Sequence, residues 1–175
     1  MGDTAKDTSK YKVLITLDNL QTKIEKGVVS LGLIFATLIL FLNILYSAIA
    51  GTTVPWASEI TQYIMVWVIF IGASLLMRST GHVTMDLIAR FISKKVVLYL
   101  DVFIYTIVCV FLAYLSYIGW NMTLDVYMTG QSMSTINASM AWVYLGFPVG
   151  VFLMAINALK LVAIKLRQAM RGEIT

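Results

Sequence analysis

Four long apolar runs alternate with short polar segments along the 175-residue chain. The runs extend from about Gly27 to Ala50, Ile60 to Met77, Val96 to Gly119 and Met140 to Ala163. A spanning helix needs roughly 20 mainly apolar residues, because the hydrocarbon core is about 30 Å thick and each helical residue rises about 1.5 Å. Each run is long enough, and none alternates in the two-residue period of a barrel strand. The pattern predicts an all-α integral membrane protein with four transmembrane helices, organised as a single membrane domain over residues 1–175.

The polar segments have patterns of their own. Val13, Leu17, Leu20 and Ile24 recur at helical spacing, with Lys12, Asp18, Asn19, Lys23 and Lys26 between them. This predicts an amphipathic helix lying on the membrane surface before the first span, with a helical extension of that span as the alternative. In the second connection, Met85, Ile88 and Ile92 share one helical face, compatible with another surface helix. The third connection, Trp120–Ser139, is polar and reads as a loop. Its two Asn-x-Ser/Thr triplets, at Asn121 and Asn137, carry meaning only in a glycosylating compartment.

Charge sets the expected orientation. Lys6, Lys10, Lys12, Lys23 and Lys26 precede the first span. Arg78, Arg90, Lys94 and Lys95 lie between the second and third, and Lys160, Lys165, Arg167 and Arg171 close the chain. These are all 13 basic residues, and the loops 51–59 and 120–139 have none. Basic residues stay on the cytoplasmic side, so both ends are expected there, residues 1–26 and the tail 164–175 included. Trp56, Trp120 and Trp142 fall near the outer span boundaries, where an indole keeps its N–H wet. Trp67 falls mid-span and is expected to face protein. The first apolar run is too long for a signal-peptide core and reads as a retained span.

Composition agrees with a membrane protein: 59% of residues are hydrophobic and 13% charged, against about 25% charged in a soluble domain. Mean hydropathy is +0.85. The polar residues expected deep in the spans are Asn43, Ser74 and Ser116, with Asn157 toward the inner end of the fourth, all suited to helix–helix hydrogen bonds. No acidic or basic residue is expected deep in a span; Glu59 and Asp101 fall near span ends. The sequence has no paired carboxylates, no Cys–His or Ser–His arrangement and no phosphate-cradling glycine loop, so no enzyme, cofactor or nucleic-acid role is read from it. The lone Cys109 and the ten scattered methionines have no metal-ligand spacing.

Gly146 and Gly150 form a GxxxG pair with Pro148 between them, and Gly32 with Ala36 is a weaker small-xxx-small pair. Such glycines let another backbone approach closely, from the same chain or from a partner. Pro148 frees the carbonyl of Tyr144 and predicts a kink.

Two segments carry a family resemblance. The first has Glu59 opening the second span, Val66 and Trp67, the run Phe70 to Ala73 containing Gly72, then Arg78, Gly81, His82 and Asp86. The second has the Ser-containing stretch Gln131 to Thr135, followed by Tyr144, Gly146, Pro148 and Gly150. Together they resemble the signatures of the small, DctQ-like membrane subunit of tripartite ATP-independent periplasmic (TRAP) transporters. Met85 stands where that family usually has Val before the Asp, and Ile136 stands near its usual outer-loop Pro. Overall the chain is most similar to the sialic-acid branch.

The resemblance implies a bacterial inner-membrane protein that works with a large membrane subunit and a periplasmic solute-binding protein. That system takes up a carboxylate-bearing solute on a sodium gradient. The small subunit would serve as static scaffold, with the solute and sodium sites on its larger partner. Glu59, Trp67, Gly72, Arg78, His82, Asp86, Tyr144, Gly146, Pro148 and Gly150 would then be interface or structural residues, with the second and fourth spans packed on the large subunit. Trp56, Ser58, Gln131 and Ser134 would face the binding protein. The competing readings are an autonomous small four-helix exporter, which usually holds an acidic residue in its first span, and a membrane assembly protein.

Overall fold

The computed structural model describes residues 3–80 and 94–171. His82 and Asp86, and the second surface helix expected around Met85, Ile88 and Ile92, lie outside the described residues. Among the described residues five helices follow in order: α1 (Asp3–Ala50), α2 (Pro55–Thr80), α3 (Lys94–Met128), the single turn α4 (Ala141–Tyr144) and α5 (Gly146–Arg171). Four of them are long and apolar enough to cross a membrane.

The expected surface helix does not form as a separate element. One continuous helix runs from Asp3 to Ala50, a length of about 72 Å. No Gly or Pro signal stops it where a surface helix would have to turn into a span, because Gly27 sits in helix with open space around it. The side chains of Asp18, Gln21, Thr22 and Glu25 instead reach residues of α2 or α5. The helical extension is the arrangement the structure adopts.

The third connection is also shorter than expected. Helix α3 continues two turns past Gly119 to Met128, and Thr123 and Val126 are buried there. What remains is a compact loop, closed by the Met140 amide on the Gln131 carbonyl at 2.9 Å and an antiparallel bridge between Ser132 and Ser139. The proline break appears as expected: α4 ends at Tyr144, Leu145 is a turn, and α5 starts at Gly146.

The helices pack as an open row, with extended seams between α1 and α2, α2 and α5, and α5 and α3. The seams are set by small residues, and the GxxxG pair is used within the chain. A Cβ on Gly150 would lie 2.4 Å from the Cβ and 2.8 Å from the backbone carbon of Phe70. Gly146 lies flat against the Trp67 indole, where a Cβ would sit 3.3 Å away. Gly32 leaves room for Val68, and Gly119 for Phe147 and Pro148. The Phe147 ring in turn meets Phe70 edge-on, with ring centroids 5.0 Å apart. Gly72 differs, because a Cβ there would make only ordinary contact with Val29 at 3.9 Å.

As the ends of the row, α1 and α3 pack along one face and leave the rest of their circumference uncovered. Leu31, Ile34, Phe41 and Ile44 of α1 are exposed, as are Phe103, Val110, Tyr114 and Tyr117 of α3. In water this surface would be untenable; in a membrane it meets lipid or another spanning protein.

The seams give unequal expectations for two glycines. Gly150→Val forces α2 and α5 apart and should destabilise the fold by about 2 kcal/mol or more, whereas Gly72→Ala should stay within about 0.5 kcal/mol of wild type. Thermal unfolding of the full chain in detergent distinguishes them; equal effects would contradict the α2–α5 seam.

Candidate functional site: two polar clasps at opposite ends of the row

No catalytic constellation or enclosed pocket stands out among the described residues. Two hydrogen-bonded clasps do, at opposite ends of the helices along their length.

The clasp at the end of the helices that carries residues 51–54 and 129–140, called the outer clasp as a label only, is built on Glu59, in the first turns of α2. Its Oε1 accepts from the Ser134 amide at 2.8 Å and from the Tyr63 hydroxyl, one turn on. Its Oε2 accepts from the Thr135 amide at 2.9 Å and from the Thr135 hydroxyl. Successive backbone amides converging on one carboxylate form an anion nest, and charge-assisted bonds of this kind are the stronger ones. The loop is thereby pinned to the start of α2. Beneath it the Trp67 indole N–H donates to the Trp142 carbonyl at 3.1 Å, so this mid-span tryptophan faces protein as expected. The turn between α1 and α2 is closed similarly, with the Val54 amide donating to the Asn43 side-chain oxygen at 2.9 Å. Pro55 then opens α2, where a missing N–H costs nothing. Trp56, Ser58, Gln131 and Ser134 are all exposed on this end.

The inner clasp centres on Asn157, which is 1% exposed. Its amide nitrogen donates to Ser74, at 2.9 Å to the hydroxyl and 3.1 Å to the carbonyl. Its oxygen accepts from the Arg78 Nε at 3.1 Å and from Gln21 at 3.4 Å. Arg78 also pairs with Asp18 at 3.0 Å and donates to the Thr22 hydroxyl. Asp18 is shared with Lys160 at 2.6 Å. Ser74 donates to Glu25 at 3.3 Å. Three helices are tied together at one level, and every one of these residues is polar.

A separate ion pair holds the other seam. Asp101 of α3, 1% exposed, meets Lys165 of α5 at 2.9 Å. Lys165, expected in a cytoplasmic tail, thus lies within α5 and packs back on the row. Further along the same seam, the Ser116 hydroxyl donates to the Pro148 carbonyl at 3.2 Å, and the Cys109 thiol to the Ala155 carbonyl at 3.7 Å.

One ionisable group outside the expected spans, Glu25, nevertheless joins the packed helices. Helix α1 is apolar enough to span from Asp18 onward, and Glu25 is only 2% exposed. Uninterrupted apolar sequence starts only at Gly27, which sets Glu25 just before the expected span. The signal was present as a polar stripe: Asp18, Gln21, Thr22 and Glu25 recur at three- and four-residue spacing, in line with Val29, Gly32 and Ala36 of the α1–α2 seam. Of the residues marked in advance, Glu59, Trp67, Arg78, Gly146, Pro148 and Gly150 all fall in intrachain clasps or seams.

Residues 36–168 match the family described as tripartite ATP-independent periplasmic transporters, DctQ component. The chain belongs to the DctQ family. No curated protein matches it. DctQ proteins are components of a transport system and not enzymes, in keeping with clasps made for holding helices and not for chemistry. The matched segment includes Glu59, Arg78 and Asn157 but starts after Asp18 and Glu25.

The outer clasp gives a local prediction. Glu59→Ala should speed hydrogen exchange of the Ser134 and Thr135 amides by roughly 10- to 100-fold, the equivalent of losing charged hydrogen bonds of about 1.5–3 kcal/mol. Peptide-level exchange mass spectrometry measures it, and unchanged protection would show that the loop holds itself.

Proposed function

We propose that this chain is the small membrane subunit of a sodium-coupled TRAP transporter for an organic acid. It acts as a static scaffold for the large transport subunit, to which a periplasmic binding protein delivers the solute. Overall resemblance favours sialic acid as that solute. The observation that carries the reading is the open row, α1–α2–α5–α3. A row has two faces and no interior, and its charged groups pair with one another at the inner end, where they tie helices together. Such a chain has no path of its own but offers broad apolar faces to lipid and to a larger spanning partner. The faces of α2 and α5 outside their seams are narrow, around Ile69, Leu76, Phe152 and Leu159. The edge helices α1 and α3 offer more area, which favours them as contributors to the interface with the large subunit.

The orientation proposed is the one the basic residues indicate, with both ends cytoplasmic in the bacterial inner membrane. The inner clasp then lies at the cytoplasmic side. The loop pinned by Glu59 faces the periplasm, where Trp56, Ser58, Gln131 and Ser134 are placed to meet the binding protein.

Proteoliposomes test the reading. The chain alone should move no solute. Addition of the large subunit and binding protein should give sodium-dependent uptake that is lost when this chain is left out. Uptake by the isolated chain would contradict the scaffold role. An impermeant thiol reagent applied from the periplasmic side should label Gln131→Cys and not Lys6→Cys, both in a Cys109→Ser background; the reverse would invert the orientation.

A further inference from the structure

The inner clasp contains two basic residues and one carboxylate in direct contact with them. Asp18 Oδ1 lies 3.0 Å from Arg78 and 2.6 Å from Lys160, so a single negative charge serves two cations. Asp18 and Lys160 are partly open to solvent, with side chains 44% and 39% exposed, but Arg78 is 19% exposed, and a positive charge left unbalanced at that buried edge is costly. The only other charged group joined to this network among the described residues is Glu25, which is buried and has no basic residue in contact. The neighbouring Lys23 and Lys26 are exposed.

Two amide relays connect Glu25 to the cations, and both have the same polarity. Lys160 donates to the Gln21 side-chain oxygen at 2.8 Å, and the Gln21 nitrogen donates to Glu25 Oε1 at 2.6 Å. Arg78 donates to the Asn157 oxygen. The Asn157 nitrogen donates to the Ser74 hydroxyl, and that hydroxyl donates to the same Oε1. Each amide oxygen faces a cation and each donor points toward the carboxylate. Dipoles aligned in this way transmit attraction between charges that do not touch. Two further buried atoms, Glu25 Oε2 and Arg78 Nη2, have no partner, so the Glu25 charge is held by the two hydrogen bonds to Oε1 and by the attraction those relays transmit from the cations.

We infer that Glu25 is the distal counter-ion of Arg78 and Lys160, completing a neutral quartet with Asp18. It is a positioning residue: it fixes the inner half of α1 against α2 and α5, and so sets the line along which the uncovered face of α1 runs. The inference rests on the charges and relays of this chain and stands whether or not the scaffold reading holds.

Charge-specific rescue tests it. Glu25→Gln keeps the shape and hydrogen-bonding capacity of the side chain but removes its charge. In the full chain in mild detergent it should lower the unfolding midpoint by about 5 °C or more. Removing one cation as well, in the Glu25→Gln/Lys160→Gln double variant, restores neutrality and should recover at least half of that loss. The Glu25→Gln/Lys23→Gln variant removes an exposed lysine on the same helix and should recover none. A Glu25→Gln midpoint equal to wild type would overturn the inference. So would a double variant as destabilised as the two single changes added together, or equal rescue by the Lys23 change.

Discussion

Asn157 is the side chain on which the inner half of the molecule depends. In a membrane, a polar group removed from water must find its partner within the protein, because lipid supplies none. Asn157 meets that requirement with α2 on both sides of its amide, through Ser74 and Arg78, and with α1 through Gln21. Replacing it by an apolar residue of similar size would strand Arg78 Nε and take away the donor that Ser74 receives. The α1–α2–α5 arrangement is thus fixed by hydrogen-bond satisfaction at one level, while glycine seams set how closely the helices approach elsewhere.

The two clasps have the same logic in different materials. At the outer end one carboxylate, Glu59, gathers backbone amides of a loop. At the inner end side chains gather side chains from three helices. Between the clasps the contacts are almost wholly steric: Gly150 on Phe70, Gly146 on Trp67, Gly32 on Val68. Apolar packing against lipid is nearly indifferent to which faces meet, so register has to come from polar ends and close-fitting glycines. A four-helix chain built like this holds its shape without a sealed core, which is what a subunit of a larger membrane assembly requires.

Much of this was legible in the sequence. Hydropathy located all four spans because their length is imposed by the bilayer. Trp67 could be assigned to a protein-facing position because an indole N–H has no partner in lipid. Pro148 marked its own break. What escaped were features that depend on which helix neighbours which. The pairing of Gly150 with Phe70 cannot be deduced from a GxxxG pattern, since the same pattern serves a partner chain equally well. Glu25 is hidden because it lies among charged residues, between Lys23 and Lys26, just before the apolar run. Of its direct partners, Gln21 is one turn away but Ser74 lies 49 residues along the chain. The extension of α3 past Gly119 was missed because Asn121, Thr123 and Asp125 look like loop residues one at a time, although their helix buries Thr123 and Val126 against the rest of the row.

Disulfide trapping reads the open helix order α1–α2–α5–α3 most directly. In a Cys109→Ser background, cysteine pairs replacing Gly32 with Val68, Trp67 with Gly146, and Gly119 with Pro148 should each cross-link within one chain, because a Cβ at each of these glycines would lie against the partner side chain without meeting its backbone. A pair placed on the uncovered faces of the edge helices, Leu38 with Phe111, should not. Efficient intrachain cross-linking of Leu38→Cys with Phe111→Cys, together with failure of the three seam pairs, would mean that the helices close into a bundle with an interior, and the account of a pathless scaffold would be wrong.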